Sequence, residues 1–126
     1  MHKLFMTIGA AMGGLGVMLG AFGAHKLKSI APDAVPTFQT GVQYQMYHAL
    51  ALIALAIVFD KLSIKWAGWA GTSFITGIVL FSSSLYALAF LKATGKVGLG
   101  GLGIITPIGG LFFIAGWLFL IFAIKK

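Results

Sequence analysis

Four long apolar stretches, separated by short segments that contain lysine, glycine or proline, dominate the sequence. They cover residues 4–24, 38–59, 66–91 and 106–124. A helix needs about 20 apolar residues to cross a bilayer, and each stretch is close to that length or longer. None has a Lys or an Asp in its interior, where a charge would be costly. The pattern predicts an all-α integral membrane protein, a four-transmembrane-helix bundle that forms one domain over residues 1–126.

Three connections join the predicted spans. Residues 25–37 are predicted to form a short helix at the membrane interface, and residues 60–65 a tight hairpin. Residues 92–105 form a glycine-rich but apolar connection. The pair Thr106 and Pro107 is typical of an N-cap followed by the first helical position, so we expect the fourth helix to begin there.

Composition narrows the class of protein further. Of the 126 residues, 60% are hydrophobic and 9% are charged, with a mean hydropathy of +1.02. Soluble domains carry roughly 25% charged residues and disordered chains are polar, so both classes are excluded. The net charge of +7 comes from lysines scattered between apolar runs, which does not indicate nucleic-acid binding. With no cysteine, and with 3 His and 2 acidic residues spread along the chain, we expect no metal, cofactor or catalytic residue.

Small residues mark the predicted packing faces. In the first span, five glycines fall within an arc of about 80° at 100° per residue. They are Gly9, Gly13, Gly16, Gly20 and Gly23. Such a face lets another helix approach closely, either within the chain or in a homo-oligomer. In the third span, Thr72, Thr76 and Ser83 fall within about 40° and also indicate helix packing.

The second span begins with a polar face that covers about 180° of the helix. It consists of Gln39, Thr40, Gln43, Tyr44, Tyr47 and His48. Unpaired amides that face lipid cost several kcal/mol each, so this face is predicted to look inward or toward water. Two interpretations stay open: interhelical hydrogen bonds that fix the bundle, and a binding site.

Four short motifs together resemble a known family. They are GAFGAH at residues 20–25, TGVQYQMYHA at 40–49, FSSSLY at 81–86, and ITPIGG at 105–110 with Gly116 and Trp117. The combination covers nearly the whole chain and is similar to the YwdK/YgdD-type family of small bacterial membrane proteins. The third motif of that family has a glycine at the position of Ser83. The family has no known function, so the resemblance implies the four-span fold and no catalytic residue.

The four motifs fall on one side of the membrane if successive spans alternate in direction. The candidate binding residues on that side are His25, Lys26, Gln43, Tyr44, His48, Ser84, Tyr86 and Thr106. Helix N-termini predicted at Thr37 and Thr106 point to the same side and suit an anion. Further positive charge comes from Lys28, Lys92 and Lys96. We expect the polar members to form one connected cluster.

These observations predict a non-enzymatic membrane protein that binds an anionic lipid head group or a small anion, with membrane lipids and further copies of itself as partners. The alternative is a transporter or channel subunit in which the polar face of the second span lines a path. A third hypothesis is a membrane enzyme that acts on lipid through His25 or His48. A groove open to the bilayer would favour lipid binding, and a continuous polar passage would favour transport.

Lysine counts predict the orientation. With both termini inside a bacterial cytoplasmic membrane, five lysines face the cytoplasm: Lys3, Lys61, Lys65, Lys125 and Lys126. Four face the other side, namely Lys26, Lys28, Lys92 and Lys96. The positive-inside rule therefore favours an N-in/C-in, multi-pass topology by one lysine.

Overall fold

The four apolar stretches form four long helices in a computed structural model that describes residues 1–95 and 101–124. The helices are α1 (Lys3–Ile30), α2 (Pro32–Lys61), α3 (Ile64–Ala93) and α4 (Leu102–Ile124), each long and apolar enough to cross a membrane. The described residues contain no strand. The predicted four-helix, all-α fold is confirmed. Three lysines used in the charge count, Lys96, Lys125 and Lys126, lie outside the described residues.

The helices run further than the predicted spans. Residues 25–37, predicted to form a separate interfacial helix, are instead the end of α1 and the start of α2. The chain breaks between them only at Ala31, whose backbone angles are φ −151° and ψ 69°. Pro32 then occupies the first helical turn, where its missing N–H costs little.

Packing follows chain order, since α1 packs on α2, α2 on α3 and α3 on α4. Two apolar clusters fill the interior. The cluster near the α2–α3 turn is built around Phe5, Leu52 and Phe74. The second, near the opposite end, contains Leu27 and Phe38.

The glycine face of α1 meets α2. The three buried glycines, Gly9, Gly16 and Gly23, are spaced by seven residues, the repeat of a left-handed helix pair. A Cβ on Gly9 would lie 2.7 Å from Cγ1 of Ile53. Gly20 also faces α2, but a Cβ on Gly13 would have nothing within 4 Å. Gly13 therefore does not pack against α2 within the chain, and a contact of Gly13 in a homo-oligomer stays a prediction.

Packing of α3 on α4 uses phenylalanine rings seated on glycines in both directions. The ring of Phe74 on α3 lies against Gly116 of α4, and the ring of Phe113 on α4 lies against Gly77 of α3. A side chain on either glycine would clash with the facing ring. These contacts bring the two helices close together without polar groups.

The hydroxyl face predicted for α3 does not pack. Thr72 and Ser83 are exposed, Thr76 is half-buried, and the two threonines bond to carbonyls of their own helix. The buried serines of α3 are Ser73, Ser82 and Ser84 instead. A π-helical turn at Ile78–Ser82 changes the rotation of the helix, so an arc calculated at a constant 100° per residue fails across it.

The start of α4 also differs from the prediction. The helix begins at Leu102, so Thr106 and Pro107 lie inside it and Thr106 is not an N-cap. Pro107 has no N–H and so removes one backbone hydrogen bond, and the helix continues on both sides of it. In the same way, α2 begins before Thr37. Neither threonine marks a helix N-terminus, since the two helices begin at Pro32 and at Leu102.

Candidate functional site

His48 links α2 to α4 and has both ring nitrogens in hydrogen bonds. Its Nδ1 lies 2.8 Å from the carbonyl oxygen of Tyr44, and its Nε2 accepts from the indole N–H of Trp117 at 3.1 Å. The ring is stacked on Phe113, with centroids 3.6 Å apart. Since a carbonyl only accepts and an indole N–H only donates, the network assigns the neutral tautomer with the proton on Nδ1.

A groove runs along the outer surface between α2 and α4 beside this histidine. Its volume is about 450 Å³. It is lined by Tyr44, His48, Phe81, Pro107, Gly110, Leu111, Phe113, Ile114 and Trp117. Leu111, Ile114 and Trp117 are exposed, so the groove opens toward the surroundings of the bundle. We call it the α2–α4 groove.

Two of the eight predicted binding residues, Tyr44 and His48, line the α2–α4 groove. Tyr44 is 38% exposed, and its hydroxyl has no hydrogen-bond partner among residues 1–95 and 101–124. Its ring lies 4.8 Å from that of Phe81, between centroids. The groove therefore combines apolar walls with a single available donor.

Tyr86 belongs to a different part of the bundle. Its hydroxyl donates to Oε1 of Gln45 at 2.6 Å, and Nε2 of Gln45 donates to the carbonyl oxygen of Met12 at 2.8 Å. Gln45 is only 2% exposed and joins α1, α2 and α3. Gln45 is not among the eight predicted binding residues, although its position beside the polar face of α2 indicates that it needs a partner.

Ser84 and Thr106 form a third, separate contact, between α3 and α4. Their hydroxyl oxygens are 2.5 Å apart. The Ser84 hydroxyl also donates to the carbonyl oxygen of Phe81 at 2.8 Å. These bonds are directed within the protein, which is typical of packing between helices.

The remaining predicted residues, His25, Lys26 and Gln43, have exposed side chains. Of the eight predicted residues, Tyr44 and His48 therefore share a groove, Ser84 and Thr106 bond to each other, and Tyr86 bonds to Gln45. Hydrogen bonds within the described part of the chain do not join the eight into one cluster. In that part, no buried side-chain nitrogen or oxygen lacks a partner. It also contains no group of three or more His, Cys, Asp or Glu placed to hold a metal ion.

A second groove of about 740 Å³ lies near the α2–α3 turn, between the start of α1 and the helices α3 and α4. Its polar lining includes His2, Thr72 and Thr76. None of the predicted binding residues lines it. In the sequence, the four-residue spacing of Gly68, Thr72 and Thr76 indicates this face, although the two threonines are predicted to serve helix packing.

Comparisons with known proteins agree with this architecture. The model of the family described as "Protein of unknown function (DUF423)" matches residues 19–110. The chain is 44% identical to the UPF0382 membrane protein YwdK of Bacillus subtilis (strain 168), over 98% of this chain and 98% of that protein. It is 41% identical to the UPF0382 inner membrane protein YgdD of Escherichia coli (strain K12), over 99% and 93% of the two chains. No solved structure matches the chain.

Proposed function

The chain belongs to the DUF423 family of multi-pass membrane proteins of unknown function, and from its geometry we propose that it binds an anionic phospholipid in the α2–α4 groove. We propose further that it has no enzymatic activity and resides in the bacterial cytoplasmic membrane. The observation that carries the proposal is the opening of this groove on the lipid-facing surface.

The groove suits an acyl chain. Leu111, Phe113 and Ile114 provide apolar walls, and the volume of about 450 Å³ is within the usual range for ligand sites. An acyl chain needs no hydrogen bonds, and His48 in the wall has both ring nitrogens already paired. The Tyr44 hydroxyl provides one donor for a polar group of the lipid.

Charge near one end of the groove favours an anionic head group. Pro107, at that end, is five residues from Leu102, where α4 begins, which is about 8 Å along the helix. Lys26 and Lys92 are exposed on the same side of the bundle. Each lysine near a membrane surface contributes about 1 kcal/mol of attraction to anionic lipid.

The interior gives less support to transport or catalysis. Among the described residues, the buried polar side-chain atoms already have hydrogen-bond partners within the protein, as Gln45 and Tyr86 do, which gives little support to a polar passage. As an acid or base, His48 would first have to give up its bond to Trp117. Lipid binding requires neither a polar passage nor the loss of the bond between His48 and Trp117.

Thermal unfolding of the purified protein in detergent tests the proposal. Phosphatidylglycerol should raise the unfolding temperature more than phosphatidylcholine with the same acyl chains. Glycerol phosphate, which carries the charge without acyl chains, should have no effect. Equal protection by the two lipids would contradict the proposal, and protection by glycerol phosphate would point to a free small anion as the ligand.

Matched variants locate the site. A Cβ on Gly110 would lie 3.9 Å from Phe81, so Gly110→Leu fills the groove without a backbone clash. It should abolish the extra protection by phosphatidylglycerol. Gly14→Leu, on α1 where a Cβ meets nothing within 4 Å, should leave that protection intact. Unchanged protection in Gly110→Leu would exclude the α2–α4 groove as the site.

A charge comparison separates the two ends of the bundle. Lys26→Ala combined with Lys92→Ala should reduce the preference for phosphatidylglycerol over phosphatidylcholine. Lys61→Ala combined with Lys65→Ala, at the other end, should not. A loss of preference in the second pair alone would place the head group at the α2–α3 turn.

A further inference from the structure

Gln43 places an amide on the outer surface of α2. Its side chain is exposed and has no hydrogen-bond partner among the described residues. One turn later, Tyr47 is 56% exposed, and its hydroxyl also lacks a partner in that part of the chain. Two uncompensated polar groups therefore lie side by side on a face that the monomer leaves open.

The position of Gln43 is well inside the apolar layer. The preceding residue, Val42, faces Gly20, which is six residues before Lys26, or about 9 Å along α1. On α3, Ser82 donates to the carbonyl oxygen of Gly41 and is ten residues before Lys92, or about 15 Å. Gln43 is thus about 10–15 Å deeper than the lysines at this end of the bundle, where lipid offers few hydrogen-bonding groups.

We propose that two copies of this chain form a parallel homodimer in which the α2 helices face each other and the Gln43 amides bond to each other. A glutamine amide both donates and accepts, so two amides related by a two-fold axis satisfy each other reciprocally. The neighbouring Tyr47 hydroxyl can bond to the same pair. A second copy is therefore a partner whose chemistry matches this surface.

The rest of the face fits a pair of helices. Gln43, Tyr47, Leu50 and Ala54 are all exposed and are separated by four, three and four residues. This spacing belongs to left-handed helix pairs in membranes and in coiled coils. Only parallel copies place both Gln43 residues at the same depth, because Gln43 is 11 residues from one end of α2 at Pro32 and 18 from the other at Lys61.

Disulfide cross-linking in native membranes tests the dimer, since the chain has no cysteine of its own. Ala54→Cys and Ile57→Cys should each cross-link to the same residue of a second copy when an oxidant is added. Gly14→Cys, exposed on α1, is the matched control and should give at least fivefold less product. Self-cross-linking of Ile57→Cys requires parallel helices, because Ile57 is four residues from Lys61 and an antiparallel copy would place it level with Pro36 at the other end of α2. Equal products at Ala54→Cys and Gly14→Cys, or no product at Ile57→Cys, would overturn the proposal.

The role of the Gln43 amide is tested by measuring dimerisation in liposomes, where photobleaching steps of fluorescently labelled protein count the copies in each complex. Gln43→Leu should lower the dimer association constant about tenfold or more, and Gln43→Asn, which keeps an amide, should lower it less. Because Gln43 makes no hydrogen bond within the described chain, Gln43→Leu should fold normally, as its unfolding temperature will report. A folded Gln43→Leu protein that dimerises like the wild type would refute the role of the amide. Lipid preference is measured separately, so this result and the failure of lipid binding are distinguishable.

Discussion

The indole N–H of Trp117 donates a hydrogen bond to Nε2 of His48 over 3.1 Å, and this bond ties α2 to α4 across 69 residues of sequence. The Nδ1–H of the same ring is directed at the carbonyl oxygen of Tyr44. Both partners lie in the sequence motifs on which the family resemblance rests. Two motifs that are distant in the chain therefore meet at one bond beside the α2–α4 groove.

Replacing Trp117 by Phe should destabilise the protein. The variant keeps an aromatic ring but removes the donor, which leaves Nε2 of His48 without a partner. We expect a loss of about 1 kcal/mol in the free energy of unfolding, measured in detergent. Trp69→Phe is the control, because Trp69 is exposed and its described contact is a ring contact with Phe119. Equal stability of Trp117→Phe and the wild type would show that the bond contributes nothing.

Gly9 and Gly13 should respond differently to the same substitution. In Gly9→Leu the new Cβ would lie 2.7 Å from Ile53 Cγ1 and 3.1 Å from the carbonyl oxygen of Ala49, so α1 and α2 must separate. We expect a loss of about 1–3 kcal/mol or more. Gly13→Leu meets open space and should unfold within a degree or two of the wild type. A reversed order of the two unfolding temperatures would mean that the face of α1 is wrongly assigned.

The bond between Gln45 and Tyr86 can be measured with a double-mutant cycle. Tyr86→Phe removes the donor, Gln45→Leu removes the acceptor, and the double variant removes both. We expect a coupling free energy of about 0.5–1.5 kcal/mol, the range known for hydrogen bonds between membrane helices. Purely additive effects on unfolding would indicate that the bond, although only 2.6 Å long, gives no net stabilisation.

The N-in/C-in orientation predicted by five lysines against four can be tested with reporters fused to the C-terminus. A fluorescent protein that matures only in the cytoplasm should be active. Alkaline phosphatase, which is active only outside it, should be inactive. Activity of the phosphatase alone would reverse the orientation and place Lys26 and Lys92 in the cytoplasm.

The number and nature of the helices could be predicted because the physical requirement is simple. An uninterrupted apolar run bounded by lysines has few stable alternatives to a membrane-spanning helix. The ends of the helices were harder to predict from the sequence. The sequence predicts that Lys26 and Lys28 lie in a connection, but a lysine near a helix end keeps its charge in water while its backbone stays helical, so α1 continues to Ile30.

The packing faces could be predicted only in part, since they depend on where the neighbouring helix crosses. Gly13 lies on the same calculated arc as Gly9, yet only Gly9 meets α2. The candidate site shows the same limit. Tyr44 and His48 line a groove, but Phe81 and Trp117, which complete it, come from other helices and are not among the predicted binding residues. Amino-acid type identifies polar residues that need hydrogen-bond partners, but which residues become those partners depends on the fold.

The π-helical turn at Ile78–Ser82 indicates where the chain can accommodate an inserted or deleted residue. A turn of this kind is an α-helix that has absorbed one extra residue without losing its ends. Before it, Phe74 is in register with Gly116, and after it, Tyr86 is in register with Gln45. A protein that lacked the extra residue would have to rotate one half of the helix by about 100° to keep both contacts. Single-residue gaps between relatives are therefore expected to concentrate at residues 78–82 and at the other π-helical turn, Gly23–Leu27 in α1.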